Sequence, residues 1–157
     1  MKYIVTLLVA LSFISSGYSQ SAVWANKIGS TSNDEGRTIK VAPNGNVYVA
    51  GKFQGTMDLD PGPGTFNVTS AGVDDIYLAC YNSSGGFIWG FSTGGALYDA
   101  VWYLTTDASS NVIICGYYQS AGIDFDPGAG STTLPFAGGT SLTMYGDGFV
   151  AKYSSTG

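Results

Sequence analysis

Carboxylates carry the one chemical motif that occurs twice in this chain. Asp58 and Asp60 stand two residues apart ahead of Pro61-Gly62-Pro63-Gly64, and Asp124 and Asp126 stand the same way ahead of Pro127-Gly128-Ala129-Gly130. Two carboxylates at i and i+2, followed by a Gly-rich turn that exposes carbonyl oxygens, supply hard oxygen ligands of the kind Ca²⁺ accepts. The loop is shorter than an EF-hand loop and lacks its closing Glu, so these aspartates are first of all turn formers, capping a tight bend through Asx bonds. Calcium is the one cofactor the sequence admits, and the four aspartates are its candidate ligands. Paired carboxylates also serve glycoside hydrolysis. A motif present in every unit is better explained by how the unit is built than by one active site, and no catalytic residue is assigned.

Aromatic side chains are the second source of chemistry. The chain holds three Trp, eleven Tyr and eight Phe, and aromatic faces stack on the apolar faces of sugars. Trp24 and Trp89 occupy equivalent places in the repeat described below, which reads as packing between sheets. Trp102 aligns with Arg37 and Tyr98 with Asn33, and residues that break a repeat are the better candidates for binding. Trp102 and Tyr98 are therefore the candidate ligand contacts. With no His in 157 residues and a net charge of −5, the usual general base, triad member and metal ligand are missing together, and a nucleic-acid surface is not expected.

The elements that must position these residues are short strands. Only 11% of the chain is charged and 23 residues are Gly, which suits a turn-dense β protein rather than a charge-laced helical one. Arg37 to Ala42 and Val47 to Phe53 flank Pro43-Asn44-Gly45-Asn46, a turn whose residues tolerate positive φ. Ile76 to Tyr81 and Phe87 to Phe91 flank Asn82-Ser83-Ser84-Gly85-Gly86. Thr56 to Leu59 and Phe66 to Thr69 form a weaker pair around Asp60 to Gly64. Val47 and Val49 point opposite to Tyr48 and Ala50, so this strand is apolar on both faces and belongs in a sheet sandwiched by neighbours.

The second half of the chain restates the first. At an offset of 65 residues Trp24 meets Trp89, Gly29 meets Gly94, Asp34 meets Asp99, Asn46-Val47 meets Asn111-Val112 and Gly51 meets Gly116. After a one-residue slip the aspartate loops align. Six inserted residues later, Asp75 to Gly85 recurs as Asp147 to Gly157. Each unit holds four main strands and a decorated connection, the make-up of a β-propeller blade. The units run approximately over 22–88 and 89–157, giving an all-β chain of about two four-stranded antiparallel repeats. Cys80 and Cys115 align with Lys152 and Ala50, so no bridge is repeated and free thiols are expected. The sequons at Asn67 and Asn82 read as polar turn residues.

The run W-x-x-x-x-G, N-D-E-G-R, P-N-G-N-V-Y-V-A-G, M-D-L-D-P-G-P-G and D-D-I-Y-L-A-C-Y-N-S-S-G resembles the SBBP (seven-bladed β-propeller) repeats of secreted bacterial surface proteins, over essentially all of residues 22–157. The resemblance implies a propeller fold, an extracytoplasmic location and no shared catalytic residue. It frames the function as a non-enzymatic surface for adhesion, carbohydrate contact or scaffolding. The alternatives are part of a carbohydrate-active propeller enzyme, or a truncated product without activity of its own. Expected partners are further blades, copies of the same chain, glycans or surface proteins. Two units cannot close a ring. Ala22 to Ile28 aligns with Phe87 to Thr93 and is expected to be a blade's outer strand, so either the chain is a fragment of a longer propeller or copies join head to tail.

Residues 1–19 read as an export signal. Lys2 supplies the positive start, Ile4 to Ile14 is apolar apart from Thr6 and Ser12, and Gly17-Tyr18-Ser19 offers small residues where a signal peptidase needs them. The apolar stretch is shorter than the ~20 residues that cross a bilayer, and no later segment reaches that length. The chain is thus expected outside the cytoplasm, secreted or at the cell surface. N-terminal sequencing of protein from the extracytoplasmic fraction should start at or within a few residues of Gln20; an intact Met1 would overturn the cleavage.

Overall fold

A computed structural model of the chain describes residues 20–137 and 146–157. Residues 1–19, read above as an export signal, and most of the insertion in the second unit lie outside the described residues. Nine strands are described: β1 (Glu35–Val41), β2 (Val47–Phe53), β3 (Thr56–Asp58), β4 (Asn67–Thr69), β5 (Asp75–Tyr81), β6 (Phe87–Thr93), β7 (Asp99–Thr106), β8 (Val112–Tyr118) and β9 (Asp147–Tyr153). All ladders are antiparallel. The first unit is a four-stranded sheet in the order β1-β2-β5-β6, with β3-β4 as a separate hairpin in the β2–β5 connection. The second is the three-stranded sheet β7-β8-β9.

A repeated irregularity shapes both sheets. In β1 the register with β2 slips between Gly36 and Thr38, leaving Arg37 without a partner. In β7 it slips between Val101 and Tyr103, leaving Trp102 without one. Each is a β-bulge, in which an extra residue bends the strand and re-aims a side chain. The partner strand answers with glycine: Gly51 pairs with Gly36, and Gly116 with Val101. A Cβ on Gly51 would run into the Glu35 carbonyl oxygen, and one on Gly116 into that of Ala100. The glycines that recur at offset 65 are there to let the bulged strand come close.

The first turn explains the Gly-Asn cluster. Gly45 has φ 86°, donates its N–H to Ala42 O at 2.9 Å, and is the position the left-handed conformation requires. Its counterpart Ser110 adopts φ 64°, the one non-Gly positive φ among the described residues. Ser110 ties the units together, its hydroxyl accepting from Asn44 N (3.1 Å) and its carbonyl from the Tyr48 hydroxyl (3.0 Å).

Aspartates at strand starts fold back the preceding loops. Asp34 accepts from Ser30 N, Asp75 from Ala71 N at 2.8 Å and Asp99 from Gly95 N at 2.8 Å, each spanning four residues, while Asp147 accepts from Ala137 N. Buried Asp99 also takes Gln119 N and Ser120 N on its other oxygen, so its carboxylate is held by N–H donors on both sides.

The two faces of the first sheet bury separate cores. Tyr48, Ala50, Ile76, Leu78 and Cys80 face the second sheet and pack with Val101, Val112, Ile114, Tyr118 and Phe149. Val47, Tyr77, Ala79 and Tyr81 pack on the opposite side against Met57, Leu59 and Val68 of the β3–β4 hairpin. β5 is buried along all seven residues, as expected for a strand covered on both faces. Cys80 and Cys115 are free thiols on different sheets, and burial pushes the Cys80 thiol up to about 11.

One expected strand is different in the structure. Residues 22–28 form no strand, because a strand needs a partner edge and that of β5 is taken by β6. Side chains hold the segment instead: Trp24 Nε1 donates to Ser83 O at 3.2 Å and Asn26 Nδ2 to Gly85 O at 2.7 Å. Trp89, its counterpart, stays in β6 and donates to Ser155 O, also at 3.2 Å. The shared role of the two tryptophans is to clamp the turn that follows the third strand of a sheet, after β5 for Trp24 and after β9 for Trp89.

Substituting Gly116→Ala should lower stability in urea unfolding by about 1–3 kcal/mol through overpacking, whereas Gly148→Ala, whose new Cβ would meet nothing nearer than 3.8 Å, should be nearly neutral. Equal effects would argue against the bulge contact.

Candidate functional site

Because both bulges sit at the same place in their units, the residues they release meet. Arg37 and Trp102, partners at offset 65, both line a groove of about 510 Å³ with Tyr117, Gln119 and Gly146. They also line an adjoining groove of about 500 Å³ with Ile39, Val49 and Tyr103. Trp102 is 53% exposed and Tyr103 70%. Trp102 meets Tyr117 edge-on at 5.5 Å between ring centroids, a geometry that fixes the indole beyond what burial alone would do.

Tyr117 itself aligns with Lys52 at offset 65. Tyr117 lines the first groove with Arg37 and Trp102, and Lys52 stands near enough for its charge to act on the Tyr117 hydroxyl. A chain of charges runs inward from Arg37. Arg37 donates to Glu35 Oε2 through Nε (3.2 Å) and Nη2 (3.0 Å), Lys52 Nζ lies 3.7 Å from the same oxygen and 2.6 Å from Asp74, and Gln54 Nε2 donates to Asp74 at 2.7 Å. Asp74 is buried, and its pairing with Lys52 is what a buried carboxylate requires. Burial raises the Tyr117 hydroxyl above its ordinary value, while the charges of Arg37 and Lys52 pull it back. The result is an aromatic edge pair beside a balanced row of two cations and two carboxylates, suited to stacking and hydrogen bonding.

Tyr98, the other candidate contact, does not join this groove. Its backbone forms an isolated parallel bridge with Asp74, beside the bonds Asp74 N to Leu97 O (3.2 Å) and Asp99 N to Asp74 O (2.8 Å). This places it at the seam between the units. Arg37, Glu35, Lys52 and Tyr117 are the site residues that sequence reasoning passed over. The alignment that singled out Trp102 already contained the signal, since it marks Arg37 and the Lys52/Tyr117 pair as well.

The aspartate loops are turns of one design. Asp58 Oδ1 accepts from Asp60 N (3.0 Å) and Phe66 N (2.8 Å), and Asp60 Oδ1 from Gly62 N (2.8 Å). Asp124 Oδ1 accepts from Asp126 N (2.9 Å) and Thr132 N (2.8 Å), and Asp126 Oδ1 from Gly128 N (2.8 Å). The N–H donors of Thr132 and Asp126 hold the Asp124 carboxyl below its usual range. Asp124 and Asp126 share a groove of about 330 Å³ with Asp75. Burial raises the Asp75 carboxyl to about 6, against the Ala71 N–H that lowers it and with the charges of Asp99 and Asp74 adding to the rise. Asp75, Asp124 and Asp126 all recur as Asp147, Asp58 and Asp60. Among the described residues no three His, Cys, Asp or Glu stand close enough together to hold a metal ion, and no helix is long and apolar enough to cross a membrane.

The fold and the repeat define β-propeller blades, here two and not closed into a ring. No family model matches the chain. Over 116 residues it is 27% identical to an uncharacterized WD repeat-containing protein of Acanthamoeba polyphaga mimivirus, a match that covers 65% of this chain and 8% of that protein. The chain therefore spans a small part of this relative's length, and the likeness agrees with a repeat of propeller type.

Millimolar Ca²⁺ should leave the melting temperature unchanged, while Asp58→Ala and Asp124→Ala should each lower it with or without the ion, since their carboxylates hold N–H groups of the turn. A rise in melting temperature with Ca²⁺ that Asp58→Asn and Asp124→Asn together abolish, as mass action requires of a ligand that prefers the native state, would restore the aspartates as cation ligands.

Proposed function

We propose that this chain is an exported, non-enzymatic propeller-type repeat protein, of the kind the SBBP repeats exemplify, whose inner-strand groove contacts carbohydrate at a cell surface. The observation that carries this reading is the bulge pair: one backbone irregularity, repeated in both units, releases Arg37 and Trp102 into a shared opening. A frame that repeats while the residues it presents differ is the arrangement of a binding surface. An exposed indole braced by Tyr117 offers an apolar sugar face a platform, and Arg37 with Glu35 offers hydroxyl groups a donor and an acceptor, while Lys52 and buried Asp74 support the pair from within. The β1-β2-β5-β6 and β7-β8-β9 sheets act as blades of a scaffold, and residues 1–19 as the leader removed on export.

The non-enzymatic reading is supported by the repetition of the Asp58/Asp60 pair as Asp124/Asp126, while Glu35 and Asp74, which do not recur, are engaged in ion pairs with Arg37 and Lys52. The raised Asp75 belongs to the fold-back device shared by four strand starts, not to a pocket of its own.

Isothermal titration and tryptophan fluorescence with a panel of soluble cell-surface polysaccharides should find at least one ligand. Trp102→Ala should weaken it tenfold or more while changing stability by less than about 1 kcal/mol, as expected for a half-exposed side chain, and Arg37→Ala should weaken it less. Absence of any ligand across the panel, or unchanged affinity in Trp102→Ala, would overturn the reading.

A further inference from the structure

Three aspartates are buried among the described residues, Asp74, Asp75 and Asp99, and two of them have donors on both oxygens. Asp74 takes Lys52 on one oxygen and Gln54 on the other. Asp99 takes the N–H of Gly95 on one and those of Gln119 and Ser120 on the other. Asp75 is 2% exposed and is matched on one side alone: Oδ2 accepts from Ala71 N at 2.8 Å, while Oδ1 has no hydrogen-bond partner. A buried carboxylate oxygen without a donor is destabilising. The neighbouring charges do not relieve it, since Asp99 and Asp74 act on it with the same sign and the Lys52 ammonium is engaged by Asp74.

The unmatched oxygen lies at a groove between the units. Gly94, where a Cβ would stand 2.5 Å from Asp75 Oδ1, lines this groove of about 330 Å³ together with Asp75 of β5, Ser92 and Thr93 of β6, and Asp124 and Asp126 of the second unit's loop. The absence of a side chain at Gly94 is what leaves Oδ1 within reach. Thr93 ties the two walls together, its hydroxyl donating to Asp124 O at 2.5 Å. The lining side chains are small or polar, with three carboxylates and no cation among them. In size the groove stands at the lower end of small-molecule pockets, roughly 300–1,000 Å³.

We propose that this groove binds an amino sugar, whose ammonium group meets Asp75 Oδ1 and whose hydroxyl groups meet Asp124 and Asp126. The lining chemistry selects this class over two others. A calcium ion needs six to eight oxygens gathered round one point, and no three carboxylates among the described residues stand that close. A lysine side chain of a protein partner needs apolar ground for its stem, which small and polar walls do not provide. An amino sugar carries its cation and its hydroxyl donors spaced around a ring, and the groove presents its acceptors spaced around an opening. The ammonium supplies the donor that the buried oxygen lacks, as a charge-assisted hydrogen bond. The groove shares no lining residue with those at Arg37 and Trp102, so this site stands apart from the one proposed there.

The test titrates D-glucosamine into the nitrogen-15-labelled chain without its leader and follows the backbone amides by NMR. Saturable shifts should appear at Ala71, at Gly94 and in the turn after Asp126, with D-glucose and N-acetyl-D-glucosamine at least tenfold weaker because neither brings an ammonium group. Asp75→Asn keeps an oxygen for Ala71 N and turns an amide to the groove in place of the carboxylate, so it should weaken D-glucosamine tenfold or more; Asp147→Asn, at the repeat counterpart, should not. Burial raises the Asp75 carboxyl to about 6, while Asp124 is held below its usual range. Asp75 is therefore mostly ionised at pH 7 and mostly neutral at pH 5, and affinity should fall about tenfold between them. No saturable shift with D-glucosamine, equal affinity for D-glucose, equal affinity at the two pH values or unchanged binding in Asp75→Asn would overturn the proposal. Shifts confined to Trp102 and Tyr117 would place the amine in the other groove, and a stronger response to Nα-acetyl-lysine amide would assign this one to a peptide side chain; either would equally overturn it.

Discussion

Each unit depends on one steric allowance, a glycine facing a bulge. Without a side chain at Gly51 and Gly116, the carbonyls of Glu35 and Ala100 close onto the neighbouring strand, and the innermost strand carries one residue more than its partner. The consequences run in both directions along the strand. Towards its start, the shift places buried Asp99 where it collects the N–H groups of Gly95, Gln119 and Ser120. At the bulge itself, Arg37 and Trp102 leave the sheet and face a common groove. The packing of the sheets, with Tyr48, Ala50 and Leu78 against Val101, Val112 and Ile114, supplies the bulk of the burial, but it is the bulge that sets which side chains remain outside.

What was legible in the sequence follows from how local each signal is. The hairpin strands were placed within about two residues, since turn chemistry at Gly45 and Asn82 and apolar runs such as Ile76 to Tyr81 act over short distances. The capping role of Asp58 and Asp124 was legible for the same reason. The bulges were not: a single extra residue appears only as a register shift between strands, and the recurrence of Gly51 and Gly116 signals a close approach without saying to what. Residues 22–28 read as a strand because Trp24 and Gly29 align with Trp89 and Gly94, yet a strand exists only with a partner, and pairing is a property of the whole assembly. Trp102 and Tyr98 were chosen by one criterion and separated by tertiary placement, one at the bulge and one at the seam.

The two tryptophan clamps explain how blades of this design stack. Trp24 and Trp89 each reach forward to a turn carbonyl at the same distance, and Ser110 reaches back to Asn44 and Tyr48. A unit thus carries its connector to the next unit at one end and the socket for it at the other. Such a construction extends by repetition, with the aspartate loops keeping the same shape in each copy while the groove residues are free to differ.

The most direct measurement of the central claim separates the bulge from the side chain it carries. Deleting Trp102 removes the extra residue, brings Val101 and Tyr103 into unbroken register with Gly116 and Cys115 and so removes the bend that the bulge imposes, whereas Trp102→Ala keeps the backbone. Urea unfolding followed by circular dichroism should find Trp102→Ala folded with a cooperative transition close to that of the parent chain, and the deletion without one. A deletion variant as stable as Trp102→Ala would contradict the account.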